Sequence, residues 1–365
     1  MSVHHLGRGS PATKRRMNAA QLRAVRRSPL GTRMPPVKPR PFDPEHMRIL
    51  SLSRTPVAGV AVLLPTYINK YTDHKAKSLV GGLGYRDGRQ WGPPDGLIRD
   101  ARVAHQLVDW ADVIVVHNGS WPRAANPHGK RIISYYHSEP RNVHRQFEQS
   151  GQSAYVIAQG HAALYPNMRV LPNVIDIDDP LMQPLYHKER PLPCDRVIVG
   201  YAPSNKHGRD YMAKNRFSAK GWPETMPVLE RLQKDRLIDL RVFVGMPFER
   251  CMEARKCCHI FVDEVITGSY HRSTLEACSH AQVAVNAMDE TTRGILSRII
   301  GGTTVPWIRS SPEALEETLR GLVKDPCRLE ELCLESRAWM EDHWHPKALI
   351  ERFWIPALQG AKVFA

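Results

Sequence analysis

Apolar runs that end at turn residues alternate with amphipathic stretches from about Ala58 onward. Continuous apolar runs are typical of parallel strands buried on both faces, whereas apolar positions spaced three and four residues apart are typical of helices. In the first half, the pattern predicts strands over Gly59–Pro65, Asp112–His117, Arg131–His137, Ala154–Ala158 and Met168–Pro172. It predicts helices over Tyr71–Val80 and Leu97–Trp110.

A second alternating series begins at Arg196. Its predicted strands are Arg196–Ala202, Leu240–Gly245, Ile260–Asp263 and Gln282–Asn286. Its predicted helices are Pro223–Lys234, Phe248–Lys256, Arg272–His280, one that starts near Ser311, and Pro346–Gln359. This alternation indicates an α/β protein with doubly wound parallel sheets, whose ligands bind at the carboxyl ends of strands. His117, Asn118 and His137 stand at such ends.

The length of the chain favours two domains. Its 365 residues, of which 42% are hydrophobic, are enough to bury two α/β cores. We expect a disordered, basic, proline-rich arm over residues 1–50, an N-terminal domain over 51–190 and a second domain over 191–340. The remaining segment, 341–365, is expected to form a helix that packs back toward the N-terminal domain.

The formal charge of +14 is concentrated at one end, because residues 1–40 contain ten Lys and Arg residues and no acid. A segment of this composition cannot bury enough apolar surface to order itself. We expect it to contact an anionic surface, either the phosphates of DNA or RNA or the headgroups of a membrane. A solubilising tail, a true start at Met17 and an arginine-rich targeting peptide are the alternatives.

Cysteine content and hydropathy suggest a cellular location. The seven cysteines are odd in number and follow no secretory signal, so we expect reduced thiols in a cytoplasmic protein. Apolar runs are too short to span a membrane, which favours a soluble or peripheral protein. A zinc site built from Cys251, Cys257, Cys258 and His259 is a weaker alternative to buried thiols, because the spacing contains no C-x-x-C pair.

Several motifs in chain order resemble the donor domain of bacterial glycosyltransferases of family 4. They are Gly200-Tyr-Ala-Pro-Ser-Asn205, Lys220-Gly221, Val244-Gly-Met-Pro-Phe248, Asp263-Glu-Val-Ile-Thr-Gly-Ser-Tyr270 and Leu275-Glu-Ala277. Upstream, Val170–Asp176 resembles the junction between the two domains of that family, and Tyr136-His-Ser138 resembles its acceptor-side histidine loop. The resemblance covers about residues 110 to 325. It implies the GT-B fold, in which two Rossmann-like domains face each other across a cleft, and a phage is one source that we consider for such an enzyme.

The resemblance also implies an activity and a site. The activity is retaining, metal-independent transfer of a hexose or pentose from a nucleotide sugar, such as a UDP- or GDP-sugar, with no further cofactor. His137 would position or polarise the acceptor hydroxyl, Lys220 would meet the charge of the leaving diphosphate, and Glu276 would bind the ribose hydroxyls. The implied donor-binding set is Lys206, Arg216, Lys220, Gly245, Thr267, Gly268, Ser269, Tyr270 and Glu276.

The sequence departs from the family at three points. Gly268 stands where the family has the first of two glutamates, and His271 replaces a glycine that lets the backbone approach the phosphates closely. An extra stretch, 207–219, separates Lys206 from Lys220, so either Lys206 or Arg216 is the partner of Lys220. Each predicted site residue also has a structural interpretation. Lys206, Arg216 and Lys220 would belong to a solvated charged loop, Glu276 would be a surface acid of a helix, and His137 would be a packed imidazole.

Three functions therefore stay open. The first is transfer to a glycan or lipid-linked saccharide, and the second is transfer to a hydroxymethylated base in DNA, which would be flipped into the cleft. The third is a nucleotide-binding module that has lost catalysis. A dinucleotide-dependent oxidoreductase is disfavoured, because no Gly-x-Gly-x-x-Gly follows a predicted strand. Asp176-Ile-Asp178, the only Asp-x-Asp considered for a metal, falls at the domain junction, where a turn is favoured.

Overall fold

A computed structural model describes most of the chain after residue 40. The described residues are 41–55, 57–81, 91–119, 121, 129–145, 148, 153–185, 196–204, 208–302 and 304–360. Residues 1–40 of the predicted basic arm lie outside the described residues. The first strand begins at Arg48, inside the segment predicted as the arm, and residues 41–365 form one compact unit.

The first sheet has seven parallel strands in the order β3-β2-β1-β4-β5-β6-β7. The strands are β1 Arg48–Ser53, β2 Lys75–Val80, β3 Gly96–Leu97, β4 Val113–His117, β5 Arg131–Tyr136, β6 Ser153–Ile157 and β7 Arg169–Leu171. The helices of this half are α1 Val60–Tyr71 and α2 Ala101–Trp110, with short 3-10 turns at 57–59, 140–142, 160–164 and 180–182. The direction of winding reverses between β1 and β4, and the crevice at their carboxyl ends is where doubly wound sheets bind ligands.

The second sheet has five parallel strands in the order β12-β11-β10-β8-β9. They are β8 Val197–Tyr201, β9 Ile238–Val242, β10 Ile260–Glu264, β11 Val283–Asn286 and β12 Ile308–Arg309. The helices are α3 Arg209–Lys214, α4 Trp222–Lys234, α5 Phe248–Arg255, α6 Arg272–Ser279, α7 Glu290–Ile300, α8 Leu315–Lys324, α9 Pro326–His343, α10 Pro346–Leu349 and α11 Ile355–Gln359, with a π-helical turn over Ile350–Trp354. Its winding reverses between β8 and β10.

Two predicted elements at the start of the first sheet are wrong. Gly59–Pro65, predicted as a strand, lies in helix α1, because an apolar run without periodicity suits a helix buried on several sides as well as a strand. Tyr71–Val80, predicted as a helix, is mainly strand β2. The side-chain amide of Asn69 bonds both the N–H and the C=O of Ala76, at 2.7 and 2.8 Å, and so attaches the new strand to the helix.

The polar residues of β2 explain the second error. Lys75 and Lys77 alternate with the more buried Ala76 and Ser78, which is the period of a strand. The Lys77 ammonium lies 4.8 Å from the ring centroid of Trp110, so its stem covers apolar surface while the charge stays near solvent. The other predicted strands and helices are confirmed, with ends that differ slightly from those predicted.

The C-terminal segment packs against the first sheet. The indole N–H of Trp344 donates to the carbonyl of Asn173 at 2.9 Å, and that of Trp354 donates to the carbonyl of Pro172 at 3.1 Å. Trp354 also meets the ring of Tyr135 edge-on, with centroids 5.0 Å apart. The hydrophobic core is continuous between the sheets, since one cluster holds residues of both. The predicted domain boundaries stay predictions.

Among the described residues, no helix is both long enough and apolar enough to cross a membrane.

Candidate active site

The carboxyl edge of the first sheet brings together the residues that follow β4 and β5. Asn118, directly after β4, has a left-handed backbone with φ 53°. Its side-chain oxygen accepts from the N–H of His137 at 2.8 Å, and its amide donates to Ser138 Oγ at 3.1 Å. Gly119 is required next, because a Cβ there would lie 1.6 Å from the carbonyl oxygen of His144. These contacts fix the end of β4 relative to the end of β5.

A hydrogen-bonded chain links Ser51, His117 and His137. Ser51 Oγ lies 2.8 Å from His117 Nε2, and His117 Nδ1 lies 2.9 Å from His137 Nε2. The His117 side chain is fully buried, and burial lowers its pKa to about 3. Burial, with smaller contributions from His117 and His161, also holds the pKa of His137 well below its usual value. Both imidazoles are therefore neutral at physiological pH.

A cavity of about 380 Å³ opens at the reversal point between β1 and β4. Its described lining residues are Ser53, Arg54, Thr55, His117, Asn118, Asn142 and His144. These residues include one fully charged cation, the exposed Arg54, and no carboxylate. The cavity therefore suits a polar or anionic ligand beside the histidine chain.

The carboxyl edge of the second sheet is organised by Glu264 at the end of β10. This carboxylate is fully buried and accepts from the N–H of Ile266 at 3.0 Å, and from the N–H and hydroxyl of Thr267 at 2.8 and 2.6 Å. Gly268 has φ 71°, and a Cβ there would lie 2.7 Å from Asp289 Oδ2. The predicted donor loop, Thr267–Tyr270, is thus a tight turn folded around one carboxylate, and it needs glycine at 268.

Lys220 lies beside this loop and is held by Asp263. Its ammonium is 2.7 Å from Asp263 Oδ1 and also donates to Ser273 Oγ. Asp263 further accepts from the backbone N–H of His271 at 2.8 Å and from the hydroxyl of Thr274 at 2.9 Å. Burial alone would raise the pKa of Asp263, but Lys220 and His271 hold it well below its usual range. Asp263 is therefore ionised and fixes the position of Lys220.

Glu276, on α6, is almost completely buried between two arginines. Its Oε2 lies 2.7 Å from Arg255 Nη1, and its Oε1 lies 2.8 Å from Arg272 Nε. The Arg255 guanidinium also stacks on Phe261, 3.8 Å from the ring centroid. Arg272 reaches the first half of the chain through the carbonyl of Val174, at 3.4 Å. Glu276 is thus the centre of a buried ionic cluster that joins the two halves.

The remaining predicted donor residues lie elsewhere or outside the description. Arg216, in the turn before Lys220, is half exposed and pairs with Glu224 at 2.7 Å. Gly245 occupies the exposed turn after β9, with φ 67°. Lys206 lies outside the described residues. The structure therefore groups Lys220, the loop Thr267–Tyr270 and Glu276 around the start of α6.

The two carboxyl edges meet. The N–H of Gly160 donates to Ser269 Oγ at 3.0 Å, and the hydroxyl of Tyr270 donates to the carbonyl of Ala158. His161, in the same turn as Gly160, has its pKa lowered to about 4, first by burial and then by His271.

His161 also lowers the pKa of His137, so the imidazole of His161 lies within electrostatic reach of both edges. The predicted donor loop therefore contacts the turn that follows β6, and β6 is the sheet neighbour of β5, which ends at the predicted acceptor-side histidine.

Solved structures share this arrangement of two doubly wound sheets. HepE from Anabaena, in complex with UDP and glucose, superposes with a TM-score of 0.56 at 12% identity, over 86% of this chain and 100% of that one. A glycosyltransferase from Rickettsia africae gives 0.53 at 9% identity, over 86% and 99% of the two chains. Sucrose-phosphate synthase from Thermosynechococcus elongatus gives 0.51 at 11%, over 83% and 96%. No protein-family model and no curated protein matches the sequence.

The chain has the GT-B fold. The fold class predicted from the sequence is confirmed, and the cleft of the GT-B fold is the place where the two edges described above meet.

Several residues that support the site in this GT-B fold were not predicted from the sequence. They are Ser51, His161, Arg255, Glu264 and Arg272. Glu264 did carry a signal, because it follows Asp263 at the end of a predicted strand, where ligand-site residues collect. The others are defined by contacts with residues far away in the sequence, and nothing in the local pattern marks them.

The alternative zinc site is not formed in this GT-B fold. Within the described residues, no group of three or more His, Cys, Asp or Glu side chains is placed to hold a metal ion. Cys258 is buried, and Cys251 and Cys257 are partly buried thiols.

Proposed function

We propose that the chain is a retaining glycosyltransferase that moves a sugar from a nucleotide-sugar donor to a hydroxyl of a glycan or lipid-linked saccharide. Three lines support the proposal: the GT-B fold, the ordered donor-domain motifs, and the solved complexes of HepE with UDP, with glucose and with UDP-glucose. Retention of configuration is inferred from the resemblance to family 4.

One observation carries the proposal: the loop Thr267–Tyr270 bonds the turn after β6, and β6 lies beside β5, which ends at His137. These residues are far apart in sequence and were assigned to opposite substrates. Their convergence is what transfer between a donor on one sheet and an acceptor on the other requires, since reacting atoms must be held within about 3–3.5 Å of each other.

Lys220 has the capacity to bind the donor diphosphate. An ammonium has three N–H donors, and Asp263 and Ser273 take two of them. Within the described part of the chain the third N–H has no partner, so it can bind a phosphate oxygen, and 17% of the side chain is exposed. Asp263 holds the ammonium in place before the donor arrives, so little reorganisation is needed when charge develops on the leaving group.

Glu276 retains capacity for the ribose. Each carboxylate oxygen has two acceptor positions, and among the described residues each oxygen accepts from one arginine. The two free positions would accept ribose hydroxyls. The side chain is only 7% exposed, so the ribose would have to reach it through a narrow opening.

The cavity between β1 and β4 is the proposed acceptor site. Its volume falls within the about 300–1,000 Å³ of small-molecule sites. It is bordered by His117, whose ring bonds His137. An acceptor hydroxyl bound there would therefore lie on the side of the cleft opposite the donor loop.

The first test is release of nucleotide from a panel of UDP- and GDP-sugars with glycan acceptors. We expect His137→Ala to lower transfer by about 100-fold or more while leaving nucleotide affinity, measured by calorimetry, unchanged. His105→Ala is the matched control, because His105 is exposed on α2, and it should behave as the wild type. Absence of nucleotide binding in the wild-type protein would contradict the proposal.

A nucleotide-binding module without catalysis is the second candidate, and one observation favours it. Both oxygens of Glu276 already bond buried arginines, so this carboxylate has a structural role whether or not a donor binds. Nucleotide binding without turnover of any donor, in the wild type and in His137→Ala alike, would establish this candidate.

A hydroxymethylated base in DNA is the alternative acceptor, favoured by the basic composition of residues 1–40. Nucleoside mass spectrometry of the DNA of the organism or virus that encodes the chain tests it. A hexose- or pentose-sized mass on a base that disappears in His137→Ala would identify DNA as the acceptor. Unmodified nucleosides in both samples would leave the glycan or lipid acceptor.

A further inference from the structure

We propose that Ser51 and His117 fix the tautomer of His137, so that its Nδ1 carries the hydrogen and donates a hydrogen bond in the cleft. Ser51 and His117 would then be positioning residues for the reaction. The consequence for catalysis depends on the proposed glycosyl transfer, whereas the tautomer itself does not.

The argument starts from the hydrogen of Ser51. The side chain is 1% exposed, and His117 Nε2, at 2.8 Å, is its hydrogen-bond partner within the part of the chain that the structure describes. Buried hydroxyl hydrogens in folded proteins are donated to an acceptor. Ser51 therefore donates, and His117 Nε2 accepts.

The tautomers of both imidazoles follow. A neutral imidazole has one protonated nitrogen, so His117 with an accepting Nε2 carries its hydrogen on Nδ1. That hydrogen is donated over 2.9 Å to His137 Nε2. His137 must then carry its own hydrogen on Nδ1. The burial that keeps both rings neutral supports this assignment.

The opposite set of tautomers is disfavoured because it leaves one buried hydrogen without an acceptor. If His137 Nε2 donated to His117 Nδ1, then His117 Nε2 would donate to Ser51 Oγ. The hydroxyl hydrogen of Ser51 would be buried with no acceptor among the described residues, which is costly.

The free nitrogen of His137 is accessible. Nδ1 makes no hydrogen bond with the described residues. It is also not fully buried, so solvent or a ligand can reach it. In the assigned tautomer this atom offers an N–H and no lone pair. His137 therefore stabilises negative charge on an oxygen instead of removing the proton of the acceptor.

The proton of the acceptor then has another destination. In the proposed reaction the bond between the sugar C1 and the donor phosphate oxygen breaks, and the bond between C1 and the acceptor oxygen forms. The acceptor proton passes to an oxygen of the leaving nucleotide diphosphate, while the N–H of His137 stabilises the charge that develops on oxygen. No further reactant is needed.

Nitrogen-15 NMR of the histidine-labelled protein tests the tautomers without any turnover. The ring resonances are assigned with His117→Gln and His137→Gln, and we expect both residues to be neutral and protonated on Nδ1. A His137 protonated on Nε2, or protonated on both nitrogens at neutral pH, would overturn the proposal, whatever the result of the transfer assay.

Ser51→Ala removes the donor that orders the chain. We expect the Nδ1 and Nε2 resonances of His137 to shift toward a mixture of tautomers, and Ser51→Thr, which keeps the hydroxyl, to restore the wild-type values. Ser134→Ala is the matched control, because Ser134 is an equally buried serine on a different strand, β5, and makes no hydrogen bond with His117 or His137. It should leave the resonances unchanged.

Kinetics give a second readout in an active preparation. Ser51→Ala should lower kcat by about tenfold, the size expected for one hydrogen bond, without changing KM for the donor. Ser51→Thr should recover kcat, and Ser134→Ala should retain it. A Ser51→Ala protein with unaltered His137 resonances would show that Ser51 only packs, and would refute its positioning role.

Discussion

The two edges of the cleft bury ionisable groups in opposite ways. On the first sheet, His117, His137 and His161 lie in surroundings that lower their pKa values, so they are kept without charge. On the second sheet, Asp263 and Glu276 are also deeply buried, but they lie in ion pairs. Each of these carboxylates has one or two cations in direct contact.

The difference assigns different work to the two edges. Neutral imidazoles give or accept hydrogen bonds without attracting counter-ions, which suits an uncharged hydroxyl. Fixed ion pairs hold cations in a set position, which suits a diphosphate. Substitutions and changes of pH should therefore affect the stability and ligand binding of the two edges differently.

The largest expected effect is on the ion cluster at Glu276. Glu276→Ala leaves Arg255 and Arg272 buried without their shared carboxylate, and we expect a loss of about 3–5 kcal/mol in the free energy of unfolding. Glu276→Gln should cost less, because the amide oxygen still accepts from one arginine. Urea denaturation followed by circular dichroism measures both.

The matched control for the ion cluster is Glu253→Ala. Glu253 also pairs with a cation, Lys256, but its side chain is 57% exposed. Exposed pairs contribute about 0–1 kcal/mol, so this change should be small. Equal losses for Glu276→Ala and Glu253→Ala would contradict the view that burial makes the cluster at Glu276 strong.

The second effect comes from the neutral edge and appears on acidification. His117 has a folded pKa of about 3 and an ordinary unfolded value, so below about pH 6.5 only the unfolded chain takes up the proton. Folding is therefore disfavoured as the pH falls, by about 2 kcal/mol between pH 7 and pH 5 for this one group.

Asp263 responds in a different range of pH. Its pKa is depressed in the fold, so its contribution is complete above the unfolded value of about 3.9 and is lost only as the pH falls further. Free energies of unfolding measured at pH 7, 5 and 4 thus distinguish the contribution of the histidines on the first edge from that of Asp263 on the second. His117→Gln should reduce the loss between pH 7 and 5, while His105→Gln, at an exposed position, should not. An unchanged loss in His117→Gln would show that another group causes it.

The fold was predictable where the local pattern was unambiguous. β4 and β5 are apolar runs followed directly by polar residues, which marks strand ends, and α6 begins beside a loop with recognisable motif residues. The strand predicted over Gly59–Pro65 was wrong because the surroundings of an apolar run decide whether it forms a helix or a strand. In the fold it is a helix buried on several sides, which periodicity alone does not reveal.

The site was predictable only in part, for a related reason. Lys220 and Glu276 were predicted as site residues because they belong to motifs that resemble those of a known family, and these roles stay predictions. The groups that set their chemistry are contributed by distant segments: Asp263 holds Lys220, and Arg255 holds Glu276. Ser51 is one more example, since its partner His117 lies on a strand that is adjacent in the sheet and distant in the chain.

The least change in stability is expected for Arg216, at the solvent-exposed margin of the second edge. Arg216 pairs with Glu224 and lies over the exposed ring of Phe217, so Arg216→Ala should change the free energy of unfolding by no more than about 0.5 kcal/mol. As the predicted partner of Lys220, however, it should contribute to diphosphate binding. We expect the Kd for UDP or GDP, measured by calorimetry, to rise several-fold. Arg231→Ala, which breaks a similarly exposed pair with Glu316, should leave that Kd unchanged. If both variants bind nucleotide like the wild type, the functional cations of this edge are confined to the buried pairs, and Arg216 belongs to the solvated loop.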